Sequence, residues 1–488
     1  MPQPVNLPFL PWEPDRAPVE GQSSYDTKNA YPIGNGWAPW QDHSAFSDAL
    51  TARCQGAYAA KDQSANAVNF AGDASKLYKL GTDNLWDDVS RTSGGAYTTN
   101  TDEYWEFAQF GSNVIAVNAT DAPQKYVIAS STNFGALGGS PPTARHIGVV
   151  RDFVVLGNLS TSAQSIHWSG FNNSESWTVG VDQSDVQEFP DGGWVQGIVG
   201  GEVGYIIQER SIRRLTYTGG DVIFQIDEVE RNRGTRASKS IVEVGGTFFY
   251  LGQDGFYWFT GDASRPIGAE RVDRWFYDTC DQSYLYRVVG SANPTARCVL
   301  WSFPSRSTVD GTPDTIIGYR WDIDRWFKID KSIEFLGIAT TQGYTLEDLD
   351  AISADIDALP ASLDSILWTG GATDLAAFDT NHKLGYFNGD SLAATLFTEE
   401  KALAGGRIAS VSNSIPIIDA SDATVAVSTR MRAADSRSYS SEGSMRSSGY
   451  CPVRGTGRLV SARLTVPAAS SWTYAEAVQI ESRVTGKR

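Results

Sequence analysis

The chain of 488 residues has only four cysteines, Cys54, Cys280, Cys298 and Cys451, and they are far apart in the sequence. This spacing excludes a zinc ribbon, a thioredoxin-type motif and a disulfide scaffold, and it favours a reducing folding compartment. The longest apolar runs are a handful of residues, whereas a membrane-spanning helix needs about 20. The N-terminus has neither the basic nor the apolar region of a secretory signal, so we expect no export by that route.

Catalytic signatures are equally scarce. The sequence has no phosphate-binding loop of the G-x-x-x-x-G-K-[ST] type and no G-x-S-x-G nucleophile elbow. Its four histidines lack the H-E-x-x-H or H-x-H spacing of a zinc site. Asp322 and Asp324 could form an acid/base pair, but the flanking Trp321 and Trp326 favour an ordinary hairpin. The sequence therefore favours a structural or binding protein, and we expect no enzymatic activity, metal or cofactor.

Positive charge is also in deficit, with 40 Lys and Arg against 57 Asp and Glu and a net charge of −17. Such a balance argues against an ordinary basic nucleic-acid binder. The deficit is uneven along the chain. Residues 391–488 hold 12 basic and 8 acidic residues, a net +4, while residues 1–390 hold 28 and 49, a net −21.

The sequence does contain many short β-strand patterns, and residues 61–390 predict a β-propeller. Apolar and aromatic segments alternate there with Gly, Asp, Asn and Ser, and they recur at roughly the 40–50 residues typical of a four-stranded blade. Short fragments repeat as well. A Trp-x-Gly or Trp-Ser-Phe triplet begins at Trp168, Trp301 and Trp368, and an F-x-G-D motif begins at Phe70, Phe259 and Phe387.

The flanking segments have different patterns. Residues 1–60 are rich in proline and tryptophan, which predicts an extended N-terminal arm that docks either on its own domain or on a neighbouring subunit. Residues 391–488 alternate apolar and polar side chains and predict an antiparallel β-sandwich or platform domain. The fold class is therefore all-β.

One helical insert interrupts the propeller pattern at residues 344–366. Leucine and isoleucine recur between Leu346 and Leu363 at close to the helical period, and five acidic residues cover the opposite face. That face is either solvated or in contact with a basic neighbour.

Two groups of basic residues are candidate contacts for DNA or for another subunit. One group lies between residues 209 and 239, where basic and acidic residues are mixed, so a salt-bridged surface is the alternative. The other lies at the end of the predicted strand 424–430 and in the Ser/Gly-rich segment after it. The candidates are Arg231, Arg233, Arg236, Lys239, Arg430, Arg432 and Arg437.

Several segments resemble proteins of tailed phages. They are K-L-Y-K-L at 76–80, R-H-I-G-V-V-R-D-F-V-V-L-G at 145–157, I-H-W-S-G at 166–170, G-Q-D-G-F-Y at 252–257, P-I-G at 266–268, and the strand patterns at 458–466 and 477–480. Together they resemble the tail nozzle or hub proteins, also described as DNA-stabilisation or head-completion proteins, of short-tailed phages. The resemblance covers about residues 60–488.

This resemblance implies a virion protein that is assembled in the host cytoplasm and is not an enzyme. The expected partners are further copies of the chain in a hexameric ring, the portal and adaptor proteins, and fibre, spike or needle proteins of the tail. Genomic DNA would pass through the ring without sequence specificity. Two alternatives stay open: a receptor- or carbohydrate-binding tail propeller, and a polysaccharide-degrading tail enzyme.

Overall fold

A computed structural model describes residues 3–486 of the chain except 17–22, 63–66, 221, 342–352, 354 and 356–372. The predicted acidic helix lies outside the described residues, apart from Ser353 and Asp355. Within the described part, no helix is both long and apolar enough to span a membrane. The all-β prediction is confirmed, because nearly all regular structure in that part is β-strand.

Five strands precede the first complete sheet along the chain. They are β1 (Gln3–Pro8), β2 (Thr27–Lys28), β3 (Ala30–Ile33), β4 (Gly36–Pro39) and β5 (Ser44–Ala49). Proline occurs within β1, β3 and β4, where it supplies no backbone N–H to the strand pairing.

The next strands form seven four-stranded antiparallel sheets within the described residues, which are the blades of a β-propeller. Blades 1 to 3 are built from β6 (Ala57–Lys61), β7 (Ala67–Gly72), β8 (Leu77–Leu80) and β9 (Trp86–Asp88); β10 (Glu106–Phe110), β11 (Asn113–Val117), β12 (Gln124–Val127) and β13 (Gly135–Ala136); and β14 (Ala144–Val150), β15 (Phe153–Leu159), β16 (Ser162–Trp168) and β17 (Asp185–Glu188).

Blades 4 to 7 continue in chain order. They are built from β18 (Val195–Val199), β19 (Val203–Gln208), β20 (Ser211–Tyr217) and β21 (Phe224–Arg231); β22 (Val242–Val244), β23 (Thr247–Leu251), β24 (Phe256–Phe259) and β25 (Ser264–Pro266); β26 (Val289–Asn293), β27 (Cys298–Phe303), β28 (Thr315–Arg320) and β29 (Arg325–Asp330); and β30 (Phe335–Thr340), β31 (Thr373–Phe378) and β32 (Lys383–Tyr386) with β5. Helix α1 (Asp273–Thr279) and the 3₁₀ turns Ser238–Ser240 and Gln282–Arg287 lie between blades.

The blades depend on one another for burial. Separate apolar clusters lie between blades 1 and 2, 2 and 3, 3 and 4, and 4 and 5, and each draws side chains from both sheets. Because both faces of a blade are covered, a strand such as β15 is buried along its whole length. The ring closes where Asn69 of blade 1 exchanges hydrogen bonds of 2.8 and 3.0 Å with the backbone of Thr340 in blade 7.

Aspartate residues shape the turns between these strands. Asp73, the last residue of the first F-x-G-D motif, accepts hydrogen bonds of 2.7 Å from the amides of Ser75 and Lys76. Asp324 has a φ of 54° in the turn between β28 and β29, which confirms the hairpin interpretation of this acidic pair. A single left-handed residue of this kind is favoured for Asn, Asp and Gly.

The last blade is completed by the N-terminal strand β5. Tyr386 of β32 pairs with Ser44, and the amide of Leu384 donates to Oγ of Ser47 at 2.9 Å. The indole of Trp86 in blade 1 donates to the same Oγ at 3.2 Å. The N-terminal segment therefore closes the propeller instead of extending from it.

The C-terminal region forms two facing sheets with a common apolar core, as predicted for a β-sandwich. Its strands are β33 (Ala394–Phe397), β34 (Ile408–Ile418), β35 (Thr424–Arg430), β36 (Gly443–Ser444), β37 (Cys451–Gly457), β38 (Leu459–Val466) and β39 (Ala475–Gly486). One sheet has the order β3-β4-β39-β34-β37 with β1 also paired to β39, and the other has the order β2-β33-β38-β35-β36.

The N-terminal segment docks on its own chain, which is one of the two docking sites that the sequence left open. Asp15 accepts hydrogen bonds of 2.8 Å from the amides of Arg274 and Trp275 in helix α1. The backbone N–H of Asn29 donates to the carbonyl of Lys328 in β29 at 3.0 Å, and its side chain donates to the carbonyl of Ala393 at 2.9 Å. Residues 3–49 thus supply strands to the sandwich first and to blade 7 last.

Substitution Ser47→Ala tests this closure. It leaves the Leu384 amide and the Trp86 indole without an acceptor in a buried site, and each buried unpaired donor costs about 1–3 kcal/mol. We expect a fall of about 2 kcal/mol in the free energy of unfolding, measured by thermal and denaturant unfolding. Ser44→Ala on the same strand is the matched control and should stay within about 0.5 kcal/mol of the wild type. Equal stability of both variants would contradict the role given to β5.

Candidate functional site

The first candidate site is a cavity of about 260 Å³ at one end of the propeller, which we term the channel mouth. The chain enters the innermost strand of each blade at this end, so the starts of β10, β14 and β18 and the 3₁₀ turn Ser238–Ser240 converge on it. Most of the side chains that line the cavity are charged or polar. They include Glu103, Glu106, Arg145, His146, Glu209, Arg236 and Lys239.

Glu106 is the centre of this site. Its Oε1 lies 2.8 Å from Nζ of Lys239 and 3.0 Å from Nδ1 of His146, and its Oε2 accepts a hydrogen bond of 3.3 Å from the amide of Ile147. Lys239 also donates to the carbonyl of Trp105 at 3.4 Å. The carboxylate thereby ties blade 2 to blade 3 and to the segment that enters blade 5.

The charge state of Glu106 is fixed by its neighbours. Burial favours the neutral acid, but the attraction of the Lys239 ammonium and of His146 outweighs it and lowers the pKa of Glu106 to about 2. A general acid or base at neutral pH needs a pKa near the working pH. Glu106 is therefore suited to holding the blades together rather than to proton transfer.

The rim of the cavity carries balanced charge. Arg145 lies 3.0 Å from Glu103, and Arg236 lies 3.7 Å from Glu209. Trp194 is half exposed on the same rim. Because each of these arginines has a carboxylate beside it, the channel mouth has no excess positive charge with which to bind phosphate groups. Its aromatic and arginine side chains have the composition of a protein-contact surface.

The four basic residues between 231 and 239 that were predicted to contact DNA or another subunit lie in two different places. Arg236 and Lys239 line the channel mouth, where both face carboxylates. Arg231 donates to Oε2 of Glu228 at 2.6 and 2.9 Å from the outer strand β21. Arg233 stacks over the ring of Tyr257 at 5.1 Å and donates to the carbonyl of Ser264.

The three predicted residues of the sandwich also differ from one another. Arg430 binds Glu400 through its Nε and one terminal nitrogen, and Arg437 lies 3.6 Å from the same carboxylate while its guanidinium lies 4.2 Å from the ring centre of Tyr25. These two arginines are nearly buried and hold the sandwich together. Arg432 is 83% exposed and 3.8 Å from Asp435.

A second candidate site is an exposed surface of the sandwich that we term the arginine face, defined by Arg454, Arg458 and Arg483. Strand register places Thr456 of β37, Ser410 of β34 and Arg483 of β39 in one row across the sheet. Arg454 and Arg458 flank Thr456 at alternate positions and are exposed. Within the described residues none of these arginines has an ion pair.

Sequence reasoning did not select Arg454 and Arg458 as candidate contacts. The alternation along β37 was the available signal for Arg454, because it places this arginine on the outer face of the strand, whereas Arg458 follows the end of β37 at Gly457. Arg483 lies on a different strand. Its proximity depends on pairing between β34 and β39, which local pattern does not reveal.

Substitution Glu106→Gln tests the network at the channel mouth. Removing one partner from a mostly buried ion pair costs about 3–5 kcal/mol, so the variant should be markedly less stable at pH 7. The ionised Glu106 stabilises the fold fully above its ordinary pKa of 4.5, and this contribution is lost as the pH falls towards about 2. The stability difference between wild type and variant should therefore shrink at low pH.

Thermal unfolding at pH 7 and at intervals down to about pH 3 measures both effects. Glu209→Gln is the control, because Glu209 is more exposed and its arginine is 3.7 Å away; exposed pairs contribute about 0–1 kcal/mol. If the Glu106→Gln variant is as stable as the wild type at pH 7, the claim that Glu106 holds the blades together is contradicted.

Comparisons with known proteins reveal no related sequence: no protein-family profile and no curated protein matches the chain. Structural likenesses exist. The WD40 domain of Neurospora crassa Pan2 has 6% identity and a TM-score of 0.39, covering 73% of this chain and 96% of that one. BBS1N in complex with ARL6DN has 9% identity and a TM-score of 0.40, covering 71% and 95%.

BamB from Moraxella catarrhalis has 10% identity and a TM-score of 0.32, covering 73% of this chain and 92% of that one. All three values of identity and TM-score are low. The β-propeller assignment consequently rests on the strand order and pairing of the chain itself.

Proposed function

We propose that the chain is a structural virion protein of a tailed phage, a subunit of the tail nozzle or hub. Copies of it form a closed ring, expected to be a hexamer, that extends the DNA exit channel below the portal and adaptor proteins. The ring retains the packaged genome and guides its ejection, and it has no enzymatic role. The segments at 76–80, 145–157 and 252–257, which resemble such proteins, support this proposal.

The arginine face is the observation that carries the proposal. Neighbours in a closed ring of one subunit type contact each other head to tail, through two different surfaces. The arginine face is exposed on one domain, and residues 1–390 carry a net charge of −21, so a contact between the arginine face of one copy and the body of the next would be attractive. Complementary charge steers association and fixes its orientation.

The acidic body also suits a conduit for DNA. The phosphates of DNA are repelled by a negatively charged wall. A duplex that passes such a wall releases no counterions to it, and counterion release is what drives DNA binding to basic proteins. Under this proposal genomic DNA is a passing cargo without sequence-specific contacts. The exposed Trp194, Arg145 and Arg236 at the channel mouth are suited to contact a neighbouring tail component such as a fibre, spike or needle protein.

The location in the particle is the direct test. Immunogold electron microscopy of virions of the encoding phage, with an antibody against this chain, should place the label at the tail below the portal. Label on fibre tips would favour the receptor-binding alternative. Particles without the chain would refute the proposal.

The arginine face gives a second test on the purified protein. Arg454→Glu combined with Arg458→Glu should shift the protein from ring to monomer, because the new charges repel the acidic neighbour. High salt should weaken assembly of the wild type in the same direction, since the Debye length falls to about 3 Å at 1 M. Light scattering and sedimentation measure the mass.

Arg432→Glu is the matched control for that experiment. It reverses an equally exposed charge of the same domain, but one that already has Asp435 beside it. We expect it to assemble like the wild type. Equal loss of assembly in both variants would show that net charge, and not the arginine face, controls the contact.

A further inference from the structure

An aromatic cleft lies between the propeller and the sandwich. It has a volume of about 380 Å³, within the range of about 300–1,000 Å³ that is usual for small-molecule sites. Its walls come from the β3–β4 hairpin, blade 6, blade 7 and the loop before β39. Junctions between domains are a preferred place for ligand sites.

Four aromatic rings line the cleft: Tyr31, Trp40, Phe387 and Trp472. Trp40 is central, with its ring edge-on to Tyr31 at 6.0 Å and to Phe387 at 5.7 Å between centroids. The indole N–H groups of Trp40 and Trp472 have no hydrogen-bond acceptor within the described residues.

Polar groups complete the lining. Gln41, Asn293, Asp374 and Thr473 contribute amide, carboxylate and hydroxyl groups around the rings. Burial raises the pKa of Asp374, while the Leu375 amide, which donates to its Oδ1 at 2.7 Å, opposes that shift. No lysine, arginine or histidine lines this cleft among the described residues, which disfavours phosphate or carboxylate ligands.

We infer that this cleft binds a neutral saccharide of one or two sugar units. A sugar ring has an apolar C–H face that packs on an aromatic side chain and a rim of hydroxyl groups that pair with amides and carboxylates. The cleft offers both sets of groups in a space of matching size. This inference is independent of the proposed role in a tail ring.

The test uses the full-length chain and defined sugars. Glucose, galactose, mannose and N-acetylglucosamine, with maltose, lactose and chitobiose, are titrated by calorimetry and by saturation-transfer NMR. We expect saturable binding of at least one of them, with the strongest transfer to C–H protons of a single ring face. Choline chloride is titrated in parallel, because aromatic cages also bind quaternary amines.

Three variants connect binding to the cleft: Gln41→Ala, Asp374→Asn and Phe387→Ala. Each should weaken binding of the sugar by at least about tenfold. Asp87→Asn in blade 1 and Phe171→Ala in blade 3 are matched controls at exposed positions outside the cleft, and they should bind like the wild type. Circular dichroism of each variant establishes that the fold is retained.

Three outcomes overturn the inference. The first is that no sugar in the panel binds saturably. The second is that all three cleft variants bind sugar as the wild type does. The third is that choline binds more tightly than every sugar. The assembly state of the protein is measured in the same samples. A ring that binds no sugar would refute the cleft assignment alone, and a monomer that binds sugar would refute the proposed ring alone.

Discussion

The pairing of β5 with β32 is the interaction on which the rest of the structure depends. It joins residues such as Ser47 and Leu384, which are 337 positions apart, and completes blade 7. A propeller whose blades bury each other's faces is stable only as a closed ring. Because the chain reaches β5 through strands β1 to β4, closure of the propeller and assembly of the sandwich use the same N-terminal segment.

In the proposed ring, charge would be used for assembly. The N-terminal segment supplies strands both to the sandwich, which carries the arginine face, and to blade 7 of the propeller. Most cations that sequence analysis selected, such as Arg430 and Lys239, form internal ion pairs. For the proposed assembly, the distinction that matters is therefore between paired and unpaired arginines, and not between basic and acidic segments.

Sequence patterns predicted the strands well, because each short apolar segment bounded by turn residues is a local signal; β35 coincides with the predicted strand at 424–430. They did not reveal strands β1, β2 and β5 of the N-terminal segment, since these pair with partners several hundred residues away. The candidate site also depends on contacts between distant residues. Lys239 was a sound candidate by charge, but its partner Glu106 lies 133 positions earlier, and only the closed propeller brings the two together.

Hydrogen–deuterium exchange of the full-length chain tests this account most directly. If β5 closes the propeller and β1 belongs to the sandwich core, their amides should exchange only through global unfolding, as slowly as those of β15 and β27. The account predicts equal opening free energies for these four strands. Rapid exchange of β5 and β1 while β15 and β27 stay protected would contradict it, because the N-terminal segment would then be an independent arm.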